Sequence, residues 1–349
     1  MKWRHHGTYR LPGVRLILSV AALLPLTGCW FSSGPEVVCY TALDRDFSEP
    51  VFQRFEEDTG IRVLAKYDQE SNKTVGLTNA LLAEKEHPRC DVFWNNEILN
   101  TLRLEKQGLL DVHVPPTAAE FPAEFRAPDG TWHGFAARAR VLIVNTDRVS
   151  GDELPGSIDD LADPKWQDKV GIAKPLFGTT ASHAACLFAF WGDEQAKEFF
   201  RRVRDNARIM SGNKAVAEAV GKGGLAFGLT DTDDAMIEKD AGRPVAIVYP
   251  DQHEGGIGTL FIPNTLAIIK GGPNPDAARR LVDYLLTPDV ETMLAEGRSA
   301  QIPLHPATTA ELRVETPHTV RAMQIDFRAA AEKWDTTAKF LRDEFMTPN

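Results

Sequence analysis

Three carboxylates fall within four positions in Asp231-Thr232-Asp233-Asp234. Carboxylates that close repel one another, so a positive partner is expected to settle among them. Oxygen donors of this kind suit hard cations such as Fe³⁺, Mn²⁺, Ca²⁺ or Mg²⁺. The same aspartates also read as caps and first-turn acids of a following helix, Asp231 being the one turned to the backbone as an Asx cap. Asp44 and Glu97 each follow a strand-like run; beside a ligand role, Asp44 reads as an Asx-turn residue and Glu97 as a first-turn acid of the helix from Ile98. Arg138 and Arg140 lie at i and i+2, hence on one side of an extended segment. They are either a salt-bridged rim or an anion hold shared with the helix start at Thr179-Thr180-Ser182, where N–H groups and hydroxyls suit phosphate, carbonate or carboxylate.

Two ligands fit that set. One is a hard metal ion on Asp44, Glu97, Asp233 and Asp234, with a bridging anion. The other is a cationic or zwitterionic organic solute of amine or phosphonate type, with its amine on Asp233 and Asp234, stacked on Trp94, and its anionic end on Arg138. A third reading makes Asp233 and Asp234 the acid–base pair of an exported hydrolase. The chain has no nucleophile elbow, no His-Glu-x-x-His and no zinc spacing, so a binder is expected and not an enzyme, with no cofactor beyond the ligand.

The elements that must position these residues alternate. Val37–Tyr40, Ile61–Ala65, Cys90–Trp94, Val170–Ala173, Ala207–Met210, Leu225–Leu229 and Val245–Tyr249 read as short strands. Helical patterns separate most of them: one capped by Ser48 and stopped at Gly60, then Lys73–Glu86, Ile98–Gln107, a helix ending near Trp191, Asp193–Arg204, and one closed by Gly242. That alternation implies parallel sheets with helices on both faces, and in such sheets ligands bind beyond the carboxyl ends of the strands. Trp132–Asn145 and Thr259–Ile269 are long extended segments, read as two strands crossing between domains. Asp276–Leu286, Pro288–Ala295 and Thr319–Glu344 supply the remaining helices.

Lys2, Arg4, Arg10 and Arg15 precede an apolar run, Leu16 to Leu26, that is too short to span a bilayer as a helix. The run ends in Leu26-Thr27-Gly28-Cys29, similar to a bacterial lipobox, which implies cleavage after residue 28, lipid on Cys29, and a protein exported to the periplasm or cell surface and tethered there. The 349-residue chain carries a net charge of −10; the leader holds four basic and no acidic residues, so the mature 321 residues carry −14. Such an acidic chain is a poor partner for nucleic acid. Cys39, Cys90 and Cys186 are too few and too widely spaced for a disulfide framework, and buried thiols are expected.

Several segments in order carry a family likeness: Val38-Cys-Tyr-Thr-Ala42, Cys90-Asp-Val-Phe-Trp-Asn-Asn-Glu97, Arg138-Ala-Arg-Val-Leu-Ile-Val-Asn145, Asp160-Leu-Ala-Asp-Pro-Lys-Trp166 and Gly212-Asn-Lys-Ala-Val-Ala-Glu-Ala-Val220. With them the mature chain resembles the periplasmic substrate-binding proteins of ABC importers, in particular the ferric-ion-binding group. The resemblance implies an α/β flytrap: two lobes, each a mostly parallel sheet with helices on both faces, joined by two crossing hinge strands and closing on a ligand. The expected division is 36–136 plus 264–305 against 137–263 plus 306–349, after a linker at 29–35. The resemblance further implies a monomer that hands an iron(III)-like ion, with an anion, to a membrane permease, and it adds Asn213 to the ligand-binding set. Where such proteins carry a histidine after the first strand, this chain has Asp44; where they carry two adjacent tyrosines, it has Asp233-Asp234; an acid after the Asp-Val-Phe strand is matched by Glu97.

Overall fold

The computed structural model describes residues 7–8, 34–68 and 73–346; the expected leader and Cys29 lie outside them. From Gly34 onward the chain forms one compact unit. The first turn of chain runs β1 (Glu36–Thr41), α1 (Arg45–Thr59), β2 (Arg62–Tyr67), α2 (Val75–Ala83), β3 (Val92–Asn95), α3 (Leu99–Lys106) and a two-residue β4 (Leu110–Asp111). The long β5 (His133–Asn145) follows, then β6 (Val170–Ala173), α4 (Gly178–Trp191), α5 (Asp193–Asn206), β7 (Arg208–Met210), α6 (Asn213–Gly221), β8 (Phe227–Asp231) and α7 (Thr232–Asp240). β9 (Val245–Val248), β10 (Phe261–Ile269), α8 (Pro275–Leu285), α9 (Pro288–Glu296) and α10 (Phe327–Phe340) complete it.

The strands form one hydrogen-bonded path, β2-β1-β3-β10-β5-β8-β6-β7, with β4 beside β10 and β9 beside β5. It holds two parallel triplets, β2-β1-β3 and β8-β6-β7, separated by β10 and β5, which run antiparallel to their neighbours. β5 belongs to both halves: His133–Ala139 pairs with β10, and Arg140–Asn145 pairs with β8 and β9. Both long strands are buried along their whole length, the polar His133, Arg138, Arg140 and Asn264 included. This is the expected α/β architecture with its two crossing strands.

Packing follows the sequence pattern. Val51, Phe52 and Phe55 of α1 go inward, and the helix stops at Gly60 in the left-handed conformation (φ 70°). Ser48 is not its cap: α1 begins three residues earlier, and the buried Ser48 hydroxyl donates to the Asp44 carbonyl at 3.0 Å from inside the helix. α2 is shorter than its pattern because Thr74 sits at φ 68° and the helix starts only after it. α4 is buried almost all round, its Phe188 ring 5.7 Å from Phe340 of α10. The three described cysteines are free and buried, and burial pushes their thiols up. No helix among the described residues is long and apolar enough to cross a membrane.

Candidate functional site

Parallel strands end on the same side, so the loops after β1, β3, β6, β7 and β8 converge. A cavity of about 20 Å³ lies where they meet, lined by Asp44 after β1, Asn96 after β3, Lys174 and Phe177 to Thr180 after β6, Ser211 to Asn213 after β7, Arg138 on β5, Lys73, and Asp231, Asp233 and Asp234. That volume holds a water or a small ion; sites for organic molecules run to several hundred Å³.

The 231–234 segment splits into a fixed part and a facing part. β8 ends two residues later than its apolar run, so Asp231 is a strand residue directly opposite Arg140 of β5. Its carboxylate does not cap α7, contrary to the expected Asx cap. It accepts Arg140 Nη1 at 2.7 Å, Thr179 Oγ1 at 2.5 Å and Asn213 Nδ2 at 2.9 Å. Arg140 also donates to Thr179 and Thr180 at 3.2 Å, and Thr180 donates to Asn213 Oδ1 at 2.9 Å. A buried ion pair needs such satisfaction of its remaining hydrogen-bonding groups to offset desolvation. Thr179, Thr180 and Asn213 line the cavity and Arg140 does not; the side chains of all four bond chiefly to one another and to Asp231.

Asp233 and Asp234 occupy the first turn of α7. Arg138 Nη1 lies 3.6 Å from Asp233 Oδ2, while its Nη2 donates to Asn264 Oδ1 at 2.9 Å. Burial outweighs Arg138 and raises the Asp233 carboxyl to about 6. Burial, and then the charge of Asp233, push Asp234 well above the usual carboxylate range. One carboxylate oxygen from each of Asp231, Asp233 and Asp234 lies within 4.8 Å of the others. Groups held that close and resisting ionisation gain most from a cation.

Asp44 joins them from β1, with Lys73 Nζ at 2.5 Å from its Oδ1. Burial works against its ionisation, but Lys73, Arg138 and Lys214 together bring it below the usual value.

Glu97 and Trp94 do other work. Glu97 is fully buried and does not line the cavity. Its oxygens accept Leu99 N at 2.6 Å, Asn100 N at 3.0 Å, Asn95 Nδ2 at 2.9 Å and Ser182 Oγ at 2.7 Å. It satisfies the start of α3 and ties it to α4, the first-turn role that stood beside the ligand reading. Trp94, also fully buried, packs edge-on to Phe52 (5.5 Å) and tilted on Phe135 (5.3 Å), with no face toward the cavity. The residue one place before Glu97 does line it. Asn96 is 2 % exposed and its Oδ1 has no partner among the described residues, an orphan acceptor of the kind a cation satisfies. Asn96, Lys73 and Lys174 escaped the sequence reading; an unremarkable amide and two lysines carry no pattern that marks them.

Comparison with known proteins agrees with this architecture. The family of bacterial extracellular solute-binding proteins matches residues 100–332, more than half of the chain. The major ferric iron-binding protein of Neisseria meningitidis is 23 % identical over 335 residues, 93 % of this chain and 96 % of its own. Among solved structures, iron-bound HitA from Pseudomonas aeruginosa superposes with a TM-score of 0.80 at 21 % identity, over 88 % of this chain and 99 % of its own. The periplasmic binding protein AfuA from Actinobacillus pleuropneumoniae, with fructose-6-phosphate bound, gives 0.79 at 20 % identity, over 90 % and 100 %. The fold is that of the two-lobed periplasmic binding proteins, and the matching family is one of solute binders, not enzymes.

Proposed function

Because the chain belongs to the bacterial extracellular solute-binding protein family, we propose that it captures a hard metal ion of the iron(III) class in the periplasm and delivers it to the permease of an ABC importer. The observation that carries this reading is the meeting of Asp231, Asp233 and Asp234 oxygens within 4.8 Å beside a cavity of about 20 Å³. With Asp231 occupied by Arg140, the ion's donors are Asp233, Asp234, Asp44 and Asn96, all hard oxygens. The first turns of α4 and α6 also line the cavity, and their N–H groups, with Lys174, suit an accompanying anion. The ferric iron-binding relative supports the cargo.

The lobes in this reading are 36–136 plus 264–305 and 137–263 plus 306–349, hinged at β5 and β10, and the monomer is tethered through lipid on Cys29. Native mass spectrometry with elemental analysis of protein from its own periplasm tests the cargo: bound iron or another hard cation supports it, and a metal-free protein carrying an organic solute overturns it.

One observation favours an organic solute instead. Arg140 faces Asp231, Arg138 lies beside Asp233, and Lys73 holds Asp44, so most of the acidity is already balanced. A phosphorylated or zwitterionic solute would use Lys174 and the two helix starts, and sugar phosphates in the same mass spectra are its signature.

A further inference from the structure

Lys73 is fixed at the cavity through both its side chain and its backbone. Its ammonium reaches Asp44 Oδ1 at 2.5 Å, and its backbone carbonyl accepts the N–H of Gly178, the first residue of α4, at 3.0 Å. Its side chain is only 18 % exposed. The next residue, Thr74, is fully buried at φ 68°, and its Oγ1 accepts Asn100 Nδ2 at 3.3 Å. A threonine is held in that region only where its surroundings over-determine it, so the backbone is committed to presenting Lys73 inward. The charge of Lys73 also reaches Asp233 and Asp234, where it opposes the effect of burial. An ammonium is a compact point charge on a flexible stem, here held by Asp44, one of the donors a cationic cargo would use.

We propose that Lys73 is a built-in competitor for the cation position: in the cargo-free protein its ammonium pairs with Asp44 and lends its charge to the neighbouring Asp233 and Asp234, and an arriving ion must displace it. The proposal rests on the cation-binding reading of the site. It adds a selection rule. A single positive charge that replaces an ammonium gains little, whereas a divalent or trivalent ion gains the difference in charge at every oxygen. Multivalent ions load, and monovalent ions and simple amines do not. The partial exposure of the Lys73 stem gives the displaced ammonium a way to water.

Calorimetric titration of the full chain tests this, with iron(III) supplied as its nitrilotriacetate, with Mn²⁺, and with methylamine as the monovalent probe. Lys73→Gln is expected to bind iron(III) at least about tenfold more tightly than the parent and to acquire measurable methylamine binding. Lys73→Arg, which keeps the charge, is expected to stay within about threefold of the parent on the same charge argument. Thermal melting checks that each variant is folded, and Lys73→Ala supplies the same loss of charge through a different side chain. A loss of metal affinity in Lys73→Gln and Lys73→Ala, or affinity equal to the parent, overturns the competitor role while leaving the metal site standing. A parent that binds neither metal overturns the reading of the site, and the inference with it.

Discussion

Asp233 and Asp234 sit where a capping acid and a ligand acid look alike, and amide substitution separates them. Asparagine caps a helix about as well as aspartate, so a capping role predicts unchanged binding in Asp233→Asn plus Asp234→Asn. The ligand role predicts that calorimetric affinity for iron(III) falls by about a hundredfold or more as two charged donors are lost, while the cargo-free protein melts at the same temperature or higher. Acidity gives a second measurement. Asp233 titrates at about 6 in the folded chain against 3.8 for an ordinary aspartate, so between those values the folded chain holds more protons than the unfolded one. Stability of the cargo-free protein therefore falls as pH rises from about 4 to about 6, and cation affinity rises over the same window as the proton leaves. Melting temperature followed across that range should show the slope in the parent and a flatter profile in the double variant. An unchanged slope would detach the pH response from these carboxylates.

At the scale of elements, the Arg140–Asp231 pair is what holds the end of β8 against the middle of β5. Asp231→Asn leaves a fully buried guanidinium without its counter-charge, and urea unfolding should register a loss of about 3–5 kcal/mol. Asp234→Asn, only three residues further along the chain but outside that buried pair, should cost little stability. Glu97→Ala leaves the first N–H groups of α3 unsatisfied and should cost about 1–3 kcal/mol, with iron(III) affinity within a few-fold of the parent because Glu97 does not line the cavity. These assignments also mark where sequence reading stops. The strand and helix alternation was legible because burial imposes its period: Val170–Ala173 and Asp193–Asn206 stand within two residues of their patterns. Asp231 was not legible as a strand residue, since an ion-paired aspartate breaks an apolar run just as a loop does. The choice between Asn96 and Glu97 was equally hidden: the residue with the charge turned to the helix start, and its neutral neighbour faces the cavity. Thr74 truncated α2 through a backbone angle that its residue type does not announce.

For the whole molecule, a ligand touching both proposed lobes favours the closed form through contacts that the open form lacks. Small-angle scattering should show compaction when iron(III) nitrilotriacetate is added to the cargo-free protein; identical profiles at saturation would argue against a hinged pair of lobes. Cys29→Ser, outside the described residues, should leave the melting temperature unchanged and release the protein from membranes into the soluble fraction. The fold was the most legible level of all, because the segments from Val38 to Val220 keep the order and spacing of a known architecture. The cargo was the least legible, because where the likeness carries a histidine and two adjacent tyrosines this chain has Asp44 and Asp233-Asp234, and only the acid at Glu97 is kept.

The division inside Asp231–Asp234 has a practical side. Asp231 is locked into the frame by Arg140, Thr179 and Asn213, whereas Asp233 and Asp234 hang from the first turn of α7 without joining that lock. In the proposed reading two of the cargo's contacts are neighbours in sequence, beside Asp44 and Asn96, and the scaffold that displays them is held by other residues. A library randomised at 233 and 234 alone would sample new cargoes on a nearly constant body, which makes this chain a candidate starting point for reprogrammable metal sensors.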